Sequence, residues 1–194
     1  MKYYTHFGHK DFILCLGHKG TLIKNFFLHY DECLSNDFVY AEGGRRLELQ
    51  SSDIQDWKIT FVDTGLHANL GQRLMAVHDH LRDEPMFLAN YTDGLTDACL
   101  PEIIRGFEAQ GTIATFLGVR PNATFHWVER DADGFVTKFR HVRDSHRVNG
   151  GFFVFKQEIF DYIREGEELV EEPFRRLIDA RKLSTYSHDG FWAC

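Results

Sequence analysis

Short apolar runs of strand length recur along this chain, each separated from the next by a stripe of apolar residues at helical spacing, and this rhythm dictates the fold class. Asp11 to Leu16, Lys58 to Val62, Met86 to Asn90, Thr112 to Val119 and Asn149 to Phe155 read as strands. Between them, Leu22, Ile23, Phe26 and Phe27 mark one helix, and Leu70, Leu74, Val77 and Leu81 mark a second over residues 70–81. Leu100, Ile103, Ile104 and Phe107 mark a third, with Pro101 suited to its first turn and Gly111 to its end. Alternating strands and helices predict an α/β fold with a mixed, mainly parallel sheet. Residues 125–130 and 135–142 flank Asp131-Ala132-Asp133-Gly134 and predict a small antiparallel insertion.

The remaining stretches are less regular. Tyr3 and Phe7 share a face ahead of Gly8, as at the end of a helix. Residues 31–44 mix polar residues with a Gly-Gly pair and read as loop, and residues 46–50 read as a short edge strand. Helices are expected near residues 157–163 and 172–180, with a strand over residues 183–186. No repeat or linker divides the chain, so residues 1–194 are expected to form one domain.

The chain is long enough to bury a sizeable core, and 43% hydrophobic residues with 18 Phe mark it as globular. A formal charge of −7 with scattered Lys and Arg speaks against a nucleic-acid partner, though not against a mononucleotide. Cys15, Cys33, Cys99 and Cys194 show no zinc-finger spacing, and Cys15 and Cys99, in or beside apolar segments, are expected in the core. Reduced thiols, short apolar runs and no signal-like segment predict a soluble cytoplasmic protein that spans no membrane.

Three predicted strand ends carry glycine-bearing turns: Asp63-Thr64-Gly65 and Thr92-Asp93-Gly94 after their strands, and Asn149-Gly150-Gly151 at the opening of its own. Ligands of open α/β sheets bind beyond the carboxyl ends of strands, where Asp93 could hold a hard divalent cation. Asp-Gly is also an ordinary turn pair. If the three strands are neighbours, their turns share one edge and can approach a nucleotide and a sugar by backbone. Arg73, following the Asp63 loop, is expected to open the helix at Leu74, where a guanidinium beside a helix start suits a phosphate or base. His78 and His80 cannot share a helix face, and no third ligand accompanies the other His pairs, so zinc is not expected. The chain carries no G-x-S-x-G elbow and no glycine-rich phosphate loop.

The ordered set Asp11 to Gly17, Lys19-Gly20, Val62 to Gly65, Gly71-Gln72-Arg73-Leu74, Tyr91 to Gly94, Asn149 to Val154, Glu172-Pro173 and Gly190-Phe191-Trp192 resembles the sugar nucleotidyltransferases, most nearly those that use CTP and glucose 1-phosphate. The resemblance covers essentially the whole chain. It implies a Rossmann-like α/β domain that joins a nucleoside triphosphate to a sugar 1-phosphate with Mg2+ and releases pyrophosphate. It implies Asp93 as the metal carboxylate, Thr92 as a nucleotide neighbour, and Ala68 and Arg73 in the nucleotide loop. Asn149, Gly150 and Glu172 would line the sugar side.

Departures from that pattern carry expectations of their own. The family's first strand and glycine-rich signature loop find no counterpart, nor does its second metal-binding Asp beyond the Phe-Trp pair. No Glu-Lys-Pro piece matches around Arg140 to Arg147. The chain therefore resembles a family member cut at both ends, expected to turn over weakly or not at all alone and to be marginally soluble. A non-catalytic remnant that binds sugar phosphate or pairs with a full-length subunit is the second reading, and an unrelated α/β domain the third. A homo-oligomeric assembly stays open.

Overall fold

The computed structural model describes residues 1–122, 124–142 and 146–194. The chain divides into two compact units, Met1–Val77 and His78–Cys194.

In the first unit, helix α1 (Lys2–His6) ends beside Gly8, whose φ of 93° is one that glycine adopts freely. Strand β1 (Asp11–Leu16) pairs in parallel with β4 (Lys58–Asp63), in register from Asp11↔Lys58 to Leu16↔Asp63. The α2 helix (Gly20–Leu28) follows β1, and Phe27 packs on Phe61 of β4 with ring centroids 5.6 Å apart.

Residues 31–44 are not a plain loop. They contain α3 (Glu32–Ser35) and β2 (Phe38–Ala41), which pairs antiparallel with β3 (Arg46–Leu49). A local cap and a distant anchor organise this stretch. The Asp31 side chain accepts from the Cys33 N–H, and the Glu32 carboxylate accepts from the backbone N–H groups of Asp53 and Ile54.

The α4 helix (Leu70–Ala76) stops earlier than its apolar stripe suggests; His78–Leu81 is a separate 3-10 turn in the second unit. A stripe at i, i+3, i+4 fits an α-helix or a helix followed by a tighter turn. The helix start at Leu70 agrees with the stripe and precedes the expected opening at Arg73 and Leu74. Asn69 caps the helix through the Gln72 N–H while the Gln72 side chain accepts from the Asn69 N–H, a reciprocal capping box. Arg73 thus lies a turn inside the helix rather than at its opening.

The second unit holds a mixed sheet in the order β11-β7-β10-β5, formed by β5 (Met86–Asn90), β7 (Ala114–Val119), β10 (Val148–Lys156) and β11 (Leu183–His188). Here β11 runs parallel to β7, and β10 antiparallel to both β7 and β5. Residues 150–155 of β10 are all buried, as suits an interior strand covered on both faces. Phe155, Leu117 and Ile159 are fully inaccessible at the heart of this core. The amphipathic α5 helix (Leu100–Gln110) buries Leu100, Ile103 and Phe107, and ends at Gly111 with φ 63°. Helix α6 (Glu172–Asp179) buries Phe174 and Leu177.

The β8 (His126–Arg130) and β9 (Val136–His141) strands form the expected hairpin, and β6 (Leu95–Thr96) pairs antiparallel with β12 (Trp192–Ala193). The architecture is α/β with mixed sheets. Among the described residues, no helix is long and apolar enough to cross a membrane.

Candidate active site

In the second unit β5, β7 and β11 run one way and β10 the other, so the C-terminal ends of three strands and the start of the fourth share an edge. Tyr91 leaves β5 and its N–H donates to the Gly151 carbonyl at 2.8 Å. The register of β10 slips between Asn149 and Phe153, and Gly151 takes φ 77° in this bulge. A Cβ on Gly151 would lie 2.6 Å from the Tyr91 ring, so a side chain is excluded twice, by conformation and by space.

Asn149 stitches the bulge. Its Oδ1 accepts from the Gly151 N–H at 2.9 Å, and its Nδ2 donates to the Tyr91 hydroxyl at 3.4 Å. Burial pushes the Tyr91 hydroxyl up from its ordinary pKa, and the Glu168 and Asp93 carboxylates add to the shift. Gly150 sits against the Leu117 carbonyl and Val119, and its own carbonyl accepts from the Trp192 indole at 2.9 Å.

Thr92 and Asp93 are exposed at the tip of the turn that Gly94 closes by donating to the Tyr91 carbonyl at 3.3 Å. The Asp93 carboxylate holds the Cys194 thiol above its ordinary pKa. Asp93 is the acidic group at this turn, with oxygen donors suited to a hard cation. Among the described residues no group of three or more His, Cys, Asp or Glu could cage a metal ion. That donor set fits Mg2+, which keeps several waters and is held by one or two carboxylates together with substrate phosphates.

An open cavity of about 560 Å³ adjoins the bulge, lined by Asn149, Phe116, Phe174, Ile178, Glu171 and Arg175 among others. Glu172 follows Glu171 and begins α6. On the same sheet edge, Arg147 donates to the carbonyls of Gly118 and His188, each at 3.0 Å. Arg120 and Arg147 both bond Asp189 and hold its carboxyl below the usual range.

The first unit has its own strand-end constellation. Thr64 donates to the Leu16 carbonyl through both its N–H, at 2.8 Å, and its hydroxyl, at 2.9 Å. The Arg73 guanidinium donates to the Thr64 hydroxyl at 2.6 Å. It also occupies the space beside Gly17, where a Cβ would lie 2.7 Å from Nη2. Gly65, with φ 96°, accepts the turn that Asp63 closes through the Gly65 N–H, and Ala68 lies 3.9 Å from where a Gly65 Cβ would be. Arg73 is therefore directed at the ends of β1 and β4 by the fold of α4.

Of the three glycine-bearing segments, the turn at Asp93 and Asn149-Gly150-Gly151, a bulge inside β10 rather than a turn, meet at one edge, whereas the turn at Asp63 belongs to the other unit. Cys15 and Cys99 are exposed, not core residues. The side chain of Cys15 lies on a sheet of only two strands among the described residues, and Cys99 is the N-cap residue of α5. Of the Arg140 to Arg147 stretch, residues 143–145 lie outside the described residues. Sequence reasoning missed Tyr91, Trp192, Glu171 and Arg175. Tyr91 and Trp192 stand inside the Tyr91 to Gly94 and Gly190-Phe191-Trp192 motifs, but which backbone each would meet depends on the pairing of distant strands.

No family model matches the chain. The glucose-1-phosphate cytidylyltransferase of Salmonella typhi is 33% identical over 195 residues, covering 99% of this chain and 75% of the relative. The crystal structure of HddC from Yersinia pseudotuberculosis superposes with a TM-score of 0.62 at 12% identity, covering 99% of this chain and 76% of HddC. The same protein complexed with GMP-PN superposes with a TM-score of 0.59 at 14% identity, over 100% and 76% of the two chains. The fold of the solved structures and the sequence likeness over nearly every residue agree, and the chain belongs to the sugar nucleotidyltransferases, in the glucose-1-phosphate cytidylyltransferase family.

Proposed function

We propose that the chain serves transfer of a cytidylyl group from CTP to glucose 1-phosphate or a related sugar 1-phosphate. An oxygen of the sugar phosphate attacks the α-phosphorus in line, the bond from that phosphorus to the β-phosphate oxygen breaks, and pyrophosphate leaves. Little covalent chemistry is asked of the protein, so catalysis rests on positioning and charge neutralisation.

The observation that carries this reading is the meeting of the Asp93 turn with the Asn149-Gly150-Gly151 bulge at one strand edge. Asp93 would hold Mg2+, which when bound neutralises phosphate charge. Thr92 lies beside it for the nucleotide. Arg73 and Ala68 would meet the nucleotide, and the guanidinium that Thr64 holds is oriented before any ligand arrives. Asn149 and Gly150, with Glu172 and its cavity-lining neighbour Glu171, would face the sugar.

The test is anion-exchange analysis of the purified chain incubated with Mg2+, CTP and glucose 1-phosphate, beside Asp93→Asn. Nucleotide sugar and pyrophosphate should form weakly at most, since the sequence carries no glycine-rich phosphate loop, and Asp93→Asn should lower that rate at least about 100-fold, the scale for losing a preorganised electrostatic contact. Product formed equally by both proteins would remove Asp93 from the reading. Calorimetric binding of glucose 1-phosphate without CTP binding or turnover would favour a sugar-phosphate-binding protein instead.

A further inference from the structure

The β6–β12 ribbon has two residues in each strand, too few for a ribbon to hold itself in place. Side-chain ties must therefore place it. After β11 the chain turns through Asp189, Gly190 and Phe191 into β12, and His188 at the end of β11 puts Nε2 2.8 Å from Asp97 Oδ1. The same nitrogen lies 3.3 Å from the Phe191 carbonyl. Gly190 has no room for a side chain: a Cβ would fall 2.6 Å from both Asp97 Oδ1 and His188 Cε1.

The Phe191 carbonyl also accepts from the Asp97 N–H at 3.3 Å and the Thr96 hydroxyl at 3.1 Å. Trp192 then faces Thr96 across the ribbon while its indole donates to Gly150 and its carbonyl accepts from Asn122. Two strands of the ribbon are thus pinned differently. Trp192 ties β12 to the bulge, and His188, 15% accessible, ties the end of the main sheet to the segment that follows Asp93 through β6.

We infer that His188 is a positioning residue that acts through Asp97 to fix β6, and with it the Asp93 turn, against β12 and the Gly150 bulge. His188 itself touches no reacting group. The inference rests on Asp93 as the metal carboxylate, and the variants below separate the two.

The full chain with CTP is titrated with Mn2+, free Mn2+ being read from its electron paramagnetic resonance signal, for wild type, His188→Ala, Asp97→Ala, Asp97→Asn and Asp93→Asn. Loss of an outer partner should weaken Mn2+ binding about tenfold in His188→Ala and Asp97→Ala. Asp97→Asn, which keeps an Oδ1 acceptor for the imidazole, should stay within about twofold of wild type on the same scale. Wild-type binding by His188→Ala and Asp97→Ala alongside loss in Asp93→Asn overturns the inference and leaves Asp93 standing. Undiminished binding by Asp93→Asn overturns the reading of Asp93. Amide hydrogen exchange decides independently of metal. Residues 95–97 and 192–193 should exchange about tenfold faster in the two alanine variants and not in Asp97→Asn, with β7 and β10 unchanged. Exchange identical to wild type, or an equal rise throughout β7 and β10, sinks the inference.

Discussion

Helices α2 and α5 read alike in sequence and differ in what covers them. Both carry apolar residues at helical spacing after or before a strand. In the second unit α5 buries Leu100, Ile103 and Phe107, close to a four-stranded sheet whose interior strand β10 is covered over residues 150–155. None of the residues of α2 is buried, and Leu22 and Phe26 are 60% and 59% accessible. The first unit offers α2 a parallel pair of strands, and parallel sheets are stable only when both faces are covered. An apolar stripe therefore states what a helix could bury; how much it buries is decided by the layer opposite.

Substitution of aromatic residues tests that contrast most strongly. Phe155→Ala, at a fully buried site in the second unit, should lower stability by about 3–5 kcal/mol. Phe26→Ala on α2 should change it by less than about 0.5 kcal/mol. Denaturant unfolding measures both, and equal losses would mean that α2 is covered in solution.

A glycine pair probes the two strand edges at smaller scale. Gly151→Ala meets both positive φ and the Tyr91 ring 2.6 Å away, and should cost about 2–3 kcal/mol. Gly65→Ala meets positive φ alone, its nearest neighbour being Ala68 at 3.9 Å, and should cost about 1 kcal/mol. Thermal melts of the two variants that coincide would show that the bulge yields as easily as the open turn.

The smallest effect concerns acid. In the second unit Arg176 grips Glu167, Nη1 bonding Oε1 at 2.9 Å and Nη2 bonding Oε2, and holds the carboxyl near a pKa of about 2. A carboxylate depressed on folding stabilises above its unfolded pKa of about 4.5, and that contribution disappears as pH falls towards about 2. The melting midpoint of Glu167→Gln should therefore lie below wild type at pH 6 and converge with it by about pH 2. In the first unit Asp53 is also held below its ordinary range, by Lys2 and then Tyr30, so its protection is lost on the same side of the pH scale. A gap for Glu167→Gln that widened in acid would contradict the assignment.

Strands β1, β4, β5, β7 and β10 were legible because length and apolar content define a strand locally, and β8 and β9 because a turn signal joins them. Hidden were α3 and β2, which depend on Glu32 reaching Asp53 and Ile54 about twenty residues away. The cap of α4 could have been read, since Asn69 and Gln72 have capping-box spacing, and it would have placed Arg73 inside the helix. Asp93, Thr92 and Asn149 were visible as strand-end groups. Their surroundings were not, because Tyr91, Gly151 and Trp192 meet only through the pairing of β5, β7 and β10.

The amino-acid sequence by itself determined the α/β rhythm, the hairpin and the carboxylate at the end of β5, since each is written within a few consecutive residues. Tertiary structure alone decided that the Asp93 turn abuts a glycine bulge, that a His–Asp pair fastens the ribbon beside it, and that α2 stays exposed while α5 is buried. Those outcomes depend on which distant segments pack together, and contacts between distant segments leave no periodic mark in the chain that makes them.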